Sequence, residues 1–264
     1  IINKFFWADL NSSDFQKVDL KNFVAIQPIG AVEQHGPHLP LNVDYKIVDG
    51  LISLLVKNLS EKNKLLFLPT QKLGKSNEHL KFPGTLSLST ETLKSMLMDI
   101  GHCVSKTGIK KLVLLNSHGG NTSLLDIVSR ELRIKYRMLI FNINWFNFGF
   151  PDKLFTDKEI QYGIHAGDIE TSIMLALDPQ NVNMKKAENF VSEISKLNKN
   201  FKYISINSLA KIAWQANDLN KKGACGNAKL ATSEKGEITI KYVCKKLLEV
   251  FNEIEKVPNS FISN

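Results

Sequence analysis

The sequence is poor in cysteine and has no long hydrophobic run. Its three cysteines, Cys103, Cys225 and Cys244, cannot all pair and form no CxxC motif. This argues against zinc-ribbon and thioredoxin-like proteins and favours a reducing compartment. No stretch approaches the roughly 18–20 apolar residues of a membrane helix, and the first residues lack the order of a signal peptide. We therefore expect a cytoplasmic protein without a membrane partner.

Motifs of several large enzyme classes are also missing. The sequence has no GxSxG elbow, no Walker A motif, no GxGxxG after a strand and no HExxH. Ser117 precedes His118 but lies in no nucleophile motif, and Cys225 has no identifiable local base, which argues against a covalent mechanism. The net charge of +8 is spread over both halves without a basic cluster, so nucleic-acid binding is a disfavoured alternative.

The chain has the composition of a globular domain, with 43% hydrophobic and 23% charged residues. Short apolar runs alternate with segments of helical period, which predicts an α/β fold with a mostly parallel sheet, in one domain over residues 1–264. The predicted strands cover residues 23–29, 65–68, 111–116 and 137–144. The predicted helices cover residues 45–59, 90–107, 122–135, 167–178 and 233–255. Asp44 is the predicted N-cap of the first helix, and residues 183–207 are a predicted surface region.

Acidic and histidine side chains collect near the ends of these elements; the set is Glu33, His35, Asp44, His118, His165 and Glu170. Glu33 and His35 are two residues apart just after the first strand, so in extended backbone they project to one side. In open α/β sheets such groups gather outside the carboxyl ends of the strands. The imidazoles of His35 and His118 with the three carboxylates suit Zn²⁺, Mn²⁺ or Fe²⁺, and these five groups exceed what one tetrahedral ion takes. This favours a site for two divalent ions.

Each of these residues also fits a purely structural role. Glu33 and His35 fit exposed loop positions, and His118 fits a turn where it forms a hydrogen bond. Asn121 is a candidate N-cap of the next helix, and Glu170 a candidate partner of a helix dipole. No single residue therefore favours the metal site. The prediction depends on all of these residues occurring together near the ends of the predicted elements.

Four motifs resemble those of the creatininase (creatinine amidohydrolase) family. They are residues 28–44 (PIGAVEQHGPHLPLNVD), 82–85 (FPGT), 116–121 (NSHGGN) and 165–172 (HAGDIETS), in the family's order. The resemblance spans about residues 28–179. It implies a three-layer α/β/α sandwich, a two-metal site and hydrolysis of a non-peptide C–N amide or cyclic amide bond in a small-molecule substrate. It also implies a homo-oligomer, commonly a hexamer in this family.

The resemblance also implies roles for individual residues. Glu33, His35, Asp44 and His118 match the positions of metal ligands, with Asp44 as the bridge between the ions. His165 matches the residue that moves a proton to the leaving nitrogen.

Two positions depart from the pattern of creatininases. A metal-binding Glu two residues after the metal-binding His is replaced by Gly120, and we expect Glu170 to supply the missing carboxylate. A Trp that closes over creatinine is replaced by Gln161, so creatinine specificity is not inherited. The alternatives are a formamidopyrimidine-type deformylase, a peptidase of a cofactor precursor, and a non-catalytic metal- or ligand-binding homologue.

The resulting hypothesis is metal-assisted amide hydrolysis. A hydroxide that bridges two ions attacks the carbonyl, and the ions stabilise the oxyanion. His165 and Glu170 are the expected catalytic residues, His165 as proton carrier. The expected substrate-binding residues are Gly119, Gly120, Asn121 and His38.

Overall fold

Four parallel strands form the central sheet of the protein, described by a computed structural model over residues 4–261. They are β1 (Val24–Ile29), β2 (Leu65–Phe67), β3 (Lys111–Asn116) and β4 (Leu139–Asn144), in the order β2-β1-β3-β4. All pairings are parallel, with Val24 opposite both Leu65 and Lys111. β1 and β3 are buried along their whole length, as their continuous apolar runs predict for the centre of a parallel sheet.

Nine α-helices accompany the sheet within the described residues. They are α1 (Ser12–Lys17), α2 (Val43–Val56), α3 (Thr90–Lys106), α4 (Thr122–Tyr136), α5 (Asp157–Tyr162), α6 (Asp168–Leu177), α7 (Ile194–Asn200), α8 (Ala216–Leu219) and α9 (Ser233–Lys256). No helix in residues 4–261 is both long enough and apolar enough to cross a bilayer. Four two-residue strands lie outside the sheet: β5 (Asn189–Phe190), β6 (Ile204–Ser205), β7 (Ala210–Lys211) and β8 (Gly226–Asn227).

Two hydrophobic cores cover the two faces of the sheet. Val24 and Ile26 of β1 pack into one core with α2, α6 and α9. Ala25 and Ile29, on the opposite face, pack with α3 and α4. Successive side chains of β1 point to opposite faces of the sheet, and helices cover both faces. The protein therefore has three layers. This confirms the expected α/β/α sandwich with a mostly parallel central sheet.

The predicted strands and the long helices are confirmed within three residues at each end, but one expectation was wrong. Asn42 occupies the N-cap position of α2, so Asp44 lies inside the first turn of the helix and is not its N-cap. Residues 183–207 lie mostly at the surface, as expected; Ala187 and Phe190 are nevertheless buried in the core with α2, and Ile194 is buried in a third, small cluster with Leu219 and Cys225. Polar neighbours mask these apolar anchors in the sequence.

Candidate metal centre

The carboxyl ends of the two central strands bring four of the expected residues together. Glu33 and His35 lie on the loop after β1, His118 follows β3, and Asp44 lies in the first turn of α2. Each of the four is at most 4% exposed. An exposed loop position for Glu33 and His35 is therefore excluded.

The Asp44 carboxylate lies between the two imidazole rings. Its Oδ1 is 3.5 Å from His35 Nε2, and its Oδ2 is 3.4 Å from His118 Nδ1. Glu33 also faces both rings, with Oε1 4.0 Å from His35 Nε2 and Oε2 3.3 Å from His118 Nε2. Two carboxylates thus each contact both histidines, an arrangement that suits two neighbouring cations.

Backbone carbonyls orient the two histidine rings. The Nδ1 of His35 lies 3.0 Å from the carbonyl oxygen of Glu33, so Nδ1 donates there and Nε2 faces the carboxylates. The Nε2 of His118 lies 3.0 Å from the carbonyl oxygen of Lys75, so Nε2 donates there and Nδ1 faces Asp44. A second hydrogen bond of this kind is the usual way in which proteins orient a histidine that binds a metal.

Several buried polar atoms of this cluster have no hydrogen-bond partner. They are both carboxylate oxygens of Glu33, Nε2 of His35 and Oδ2 of Asp44. Buried polar atoms without partners are rare because each is costly. Glu33, His35 and Asp44 can place one donor atom each within 4.8 Å of one another, as can Glu33, Glu78 and His118. The donor set therefore fits divalent cations with nitrogen and oxygen ligands.

The pKa values in the cluster reflect burial and unbalanced charge. Burial raises the pKa of Glu33 to about 8, with a further rise from Asp44 and an opposing effect of His118. Burial acts to lower the pKa of His35 and of His118, but neighbouring carboxylates outweigh it. The pKa is about 9 for His35, mainly through Asp44, and about 10 for His118, mainly through Glu33. In the metal-free protein, protons on these two histidines therefore supply the positive charge that bound cations would otherwise supply.

His165 and Glu170 approach the cluster from the start of α6. Glu170 Oε2 lies 3.8 Å from His35 Nε2 and accepts a hydrogen bond from the backbone N–H of Ala166. Ala166 has a left-handed φ of 54°, which costs energy in a residue with a β-carbon and turns the chain between His165 and Glu170. Both side chains thereby reach the centre from one short segment.

The His165 ring has one nitrogen available to the cavity. Its Nε2 lies 2.7 Å from the backbone oxygen of Gln34, so Nε2 donates there. Its Nδ1 faces Glu33 Oε1 at 3.7 Å. Burial lowers the pKa of His165 well below its usual value, and the charge of His35 adds to this effect. The ring is therefore neutral at neutral pH, with the lone pair on Nδ1.

The expected substrate-binding residues divide into two groups. Gly119 and Gly120 line the cavity above the cluster. His38 does not: it is buried, stacks on Phe190 and shares a 2.9 Å hydrogen bond with Thr171. Asn121 is also fully buried outside the cavity lining, and its side chain makes no capping hydrogen bond to α4. Substrate contact by His38 or Asn121 is therefore not supported by their positions.

Glu78 and Gln34 belong to the centre but were not among the expected site residues, and His79 lies beside them. Glu78 Oε1 lies 3.5 Å from His118 Nε2, and His79 Nε2 lies 3.4 Å from Glu33 Oε1. The Gln34 amide joins the His79 ring to the backbone oxygen of Gly223. The signal for Glu78 and His79 was present in the length of the loop over residues 70–89, since such loops are commonly functional.

A cavity of about 810 Å³ opens above the cluster. Carboxylates and histidines form its floor, and its walls include Trp145, Phe146, Phe150 and Trp214. Lys211 is the single lysine or arginine among the described lining residues. The size lies within the range of about 300–1,000 Å³ that is usual for small-ligand sites.

The fold and the cluster define an α/β protein with a candidate metal centre at the carboxyl edge of its sheet. The chain belongs to the creatininase family: the model of that family, described as creatinine amidohydrolase, matches residues 8–251.

Comparisons with individual proteins agree with the family. A mycofactocin precursor peptide peptidase of Mycolicibacterium smegmatis is 32% identical over 161 residues, which cover 60% of each chain. The creatinine amidohydrolase of Pseudomonas putida is 30% identical over 200 residues, 69% of this chain and 75% of the relative. A crystal structure of creatinine amidohydrolase (creatininase) superposes with a TM-score of 0.77 at 23% identity, over 96% of this chain and 99% of the other. The fold is therefore shared over almost the whole length of both.

Proposed function

We propose that this protein is a metal-dependent amidohydrolase that cleaves a non-peptide C–N amide, cyclic amide or formamide bond. The family and the relative named creatinine amidohydrolase support this activity. The observation that carries the proposal is the group of buried carboxylate and imidazole atoms without partners at the cavity floor. Burying such atoms without partners is costly, and this donor set suits cations.

Two divalent ions would be held by Glu33, His35, Asp44, His118 and Glu170, with Asp44 between them. Divalent cations in such a set polarise a carbonyl and lower the pKa of a water molecule to about 7. Structures of this fold have been solved as a manganese form of creatininase and as a Zn–Zn form of a creatininase mutant. Manganese and zinc, with iron as a third candidate, are therefore the metals to test.

The chain itself would move the proton and orient the substrate. His165 is neutral and presents the Nδ1 lone pair near the cavity floor, so it can accept a proton there and return it to a leaving nitrogen. Gly119 and Gly120 follow β3 directly and line the cavity, where their backbone N–H groups can bind a substrate oxygen. The aromatic walls exclude water from the bond that is cleaved.

Elemental analysis of the purified protein tests the metal centre. We expect two ions per chain in the native protein, and loss of metal and activity in Asp44→Ala and His118→Ala. His102→Ala, which changes an exposed histidine on α3, is the matched control and should keep both. Full activity of metal-free protein would contradict the proposal, and so would activity at native level in Asp44→Ala.

His165→Ala tests the proton carrier separately from metal binding. We expect it to retain two ions and to lose about 10²–10⁴-fold in kcat, the range typical of one general acid–base group. Metal content and turnover are measured on the same preparation. Unchanged kcat with full metal would remove His165 from the reaction.

The substrate is to be sought among amides larger than a single small ring, because the cavity of about 810 Å³ exceeds what such a ring fills. Two candidates come from other relatives. The mycofactocin precursor peptide peptidases favour a short peptide, and a formylamino-pyrimidine deformylase of Methanothermus fervidus, 30% identical over 155 residues, favours a formamide. A panel of cyclic amides, formamides and short peptides separates these activities. A protein that binds its metals and hydrolyses none of them would match the non-catalytic alternative.

We further propose that the protein is a homo-oligomer in a reducing cytoplasm. Five apolar side chains of residues 201–212 are exposed, namely Phe201, Tyr203, Ile204, Leu209 and Ile212, and such patches commonly mark protein interfaces. The three cysteines are free, as a reducing compartment would leave them. The molar mass in solution, measured by light scattering, tests the assembly, and Leu209→Asp should reduce it.

A further inference from the structure

Glu78 points a carboxylate at the metal centre from outside the expected ligand set. It lies on a short 3-10 helix, Asn77–His79, within the loop of residues 70–89. Its Oε1 is 3.5 Å from His118 Nε2, and its side chain is 15% exposed where it lines the cavity. The Glu78 carboxylate therefore lies beside the His118 ring. It has only limited access to solvent.

Gly120 leaves the space that this carboxylate occupies. A β-carbon at position 120 would overlap Glu78 Oε1, and it would lie 2.5 Å from His118 Nε2 and 2.6 Å from the backbone oxygen of Lys75. The last of these atoms belongs to the backbone and cannot move aside at low cost. Glycine at position 120 and the carboxylate of Glu78 are thus sterically matched.

The surroundings of His118 Nε2 define what Glu78 does. This nitrogen faces oxygen atoms only: the Lys75 carbonyl at 3.0 Å, the Ser76 hydroxyl at 3.2 Å, and the carboxylates of Glu33 and Glu78. A lone pair on Nε2 would be repelled by them, so Nε2 carries the hydrogen. Nδ1, which faces Asp44 Oδ2 at 3.4 Å, is therefore the nitrogen that would give up its hydrogen to a bound cation.

We propose that Glu78 is a positioning residue of the metal centre: its carboxylate, in the space left by Gly120, holds the hydrogen of His118 on Nε2 and so directs Nδ1 to a cation beside Asp44. The inference rests on the proposed function, because it assumes a metal ion at this centre. Glu33, which is 1% exposed and has both carboxylate oxygens without a partner, points independently to a cation at the same place. A carboxylate that accepts the ring N–H of a metal-binding histidine also increases the affinity of that histidine for the metal.

Titration of the metal-free protein with Zn²⁺ in competition with a coloured chelator tests this role without an activity assay. The variants are Glu78→Gln, which keeps an oxygen acceptor but loses the charge, and Glu78→Ala, which loses both. Glu188→Gln, which changes an exposed carboxylate paired with Lys222, is the control. We expect two ions per chain at saturation in every variant. One of the two affinities should fall by about 10–100-fold, more in Glu78→Ala than in Glu78→Gln, and stay unchanged in the control.

Three outcomes would overturn the assignment. Unchanged affinities in both Glu78 variants would show that the carboxylate does not act on His118. A single ion at saturation in Glu78→Gln would make Glu78 a metal ligand. A melting temperature of metal-free Glu78→Gln well below that of the metal-free native protein would make its role structural. If the native protein itself binds no metal, the proposed function fails first, and the two failures are thus distinguished.

Discussion

His35 and His118 reach the same carboxylate through different ring nitrogens. His35 presents Nε2 to Asp44, and His118 presents Nδ1, because a backbone carbonyl takes the hydrogen of the other nitrogen in each ring. The two rings therefore contact opposite oxygens of one carboxylate. This arrangement gives Asp44 the geometry expected of a bridge between two ions.

Metal binding should depend on pH because both rings are protonated in the metal-free state. The pKa is about 9 for His35 and about 10 for His118, since nearby carboxylates outweigh the effect of burial. Below those values a cation must displace a proton from each ring. We therefore expect the affinity for Zn²⁺ to rise between about pH 6 and about pH 8, by about one log unit per pH unit for each proton displaced.

Calorimetry in two buffers of different ionisation enthalpy measures the protons released. Metal binding by native protein should release protons at neutral pH, and His118→Ala should release fewer for whatever metal it still binds. An affinity that does not change over this pH interval would contradict the charge state given to the two rings.

The sequence predicted the site residues that lie close to a strand end. Glu33, His35 and His118 are placed by their distance from β1 and β3, and parallel strands bring their carboxyl ends to one edge. Glu78 could not be predicted in this way, since it lies far from any strand. Its position depends on how the long loop folds back over β3, which only tertiary contacts decide.

At the scale of elements, Asn121 joins three segments that carry the site. Its amide nitrogen donates to the carbonyl oxygen of Gly30 and to the side-chain oxygen of Asn116, and its side-chain oxygen accepts from the backbone N–H of Lys75. The ends of β1 and β3 and the loop of residues 70–89 are thereby held together. The sequence suggested an N-cap or a substrate contact, because an Asn before a helix has the same local pattern.

Asn121→Ala should lower the free energy of unfolding by about 1–3 kcal/mol, because it leaves buried polar groups without partners. Urea unfolding measures the change. Asn58→Ala, which removes an exposed side chain bonded only to the Leu54 carbonyl, is the control and should have little effect. Equal stability of the two variants would mean that the three segments are held by packing alone.

The long helices and the strands were predictable because their apolar periodicity extends over whole elements. The shorter elements of residues 183–227 were not, since β5 to β8 have two residues each and α8 has four. Segments this short are not long enough to show the apolar periodicity of a helix or a strand. Only a few buried side chains hold them in place: Phe190 packs into the core with α2, and Leu219 packs with Ile194 and Cys225 in a small separate cluster.

At the scale of the whole molecule, the metal centre joins the edge of the sheet to one helical layer. The loops after β1 and β3 carry Glu33 and His118, while α2 and α6, which pack on the same face of the sheet, carry Asp44 and Glu170. Without cations, only protons on the neighbouring histidines balance the charge of these buried carboxylates. Metal binding should therefore raise the free energy of unfolding of the whole domain.

Metal removal should lower the melting temperature of the native protein. A ligand present at 100 times its Kd contributes about 2.7 kcal/mol, and each kcal/mol shifts the melting temperature of a chain of this size by about 2–4 °C. Scanning calorimetry before and after chelation, and again after Zn²⁺ is restored, measures the effect. Asp44→Ala should show no such dependence, and a native protein that melts at the same temperature in all three states would argue against the centre.

The carboxylate-rich floor of the cavity has a kinetic consequence. Glu33, Asp44, Glu78 and Glu170 all border the space that a substrate must enter. In the metal-free protein only the protons on His35 and His118 and the lysine Lys211 offset these carboxylates. Two divalent cations carry more positive charge than the protons they displace, so an anionic substrate should enter the loaded protein faster than the metal-free one.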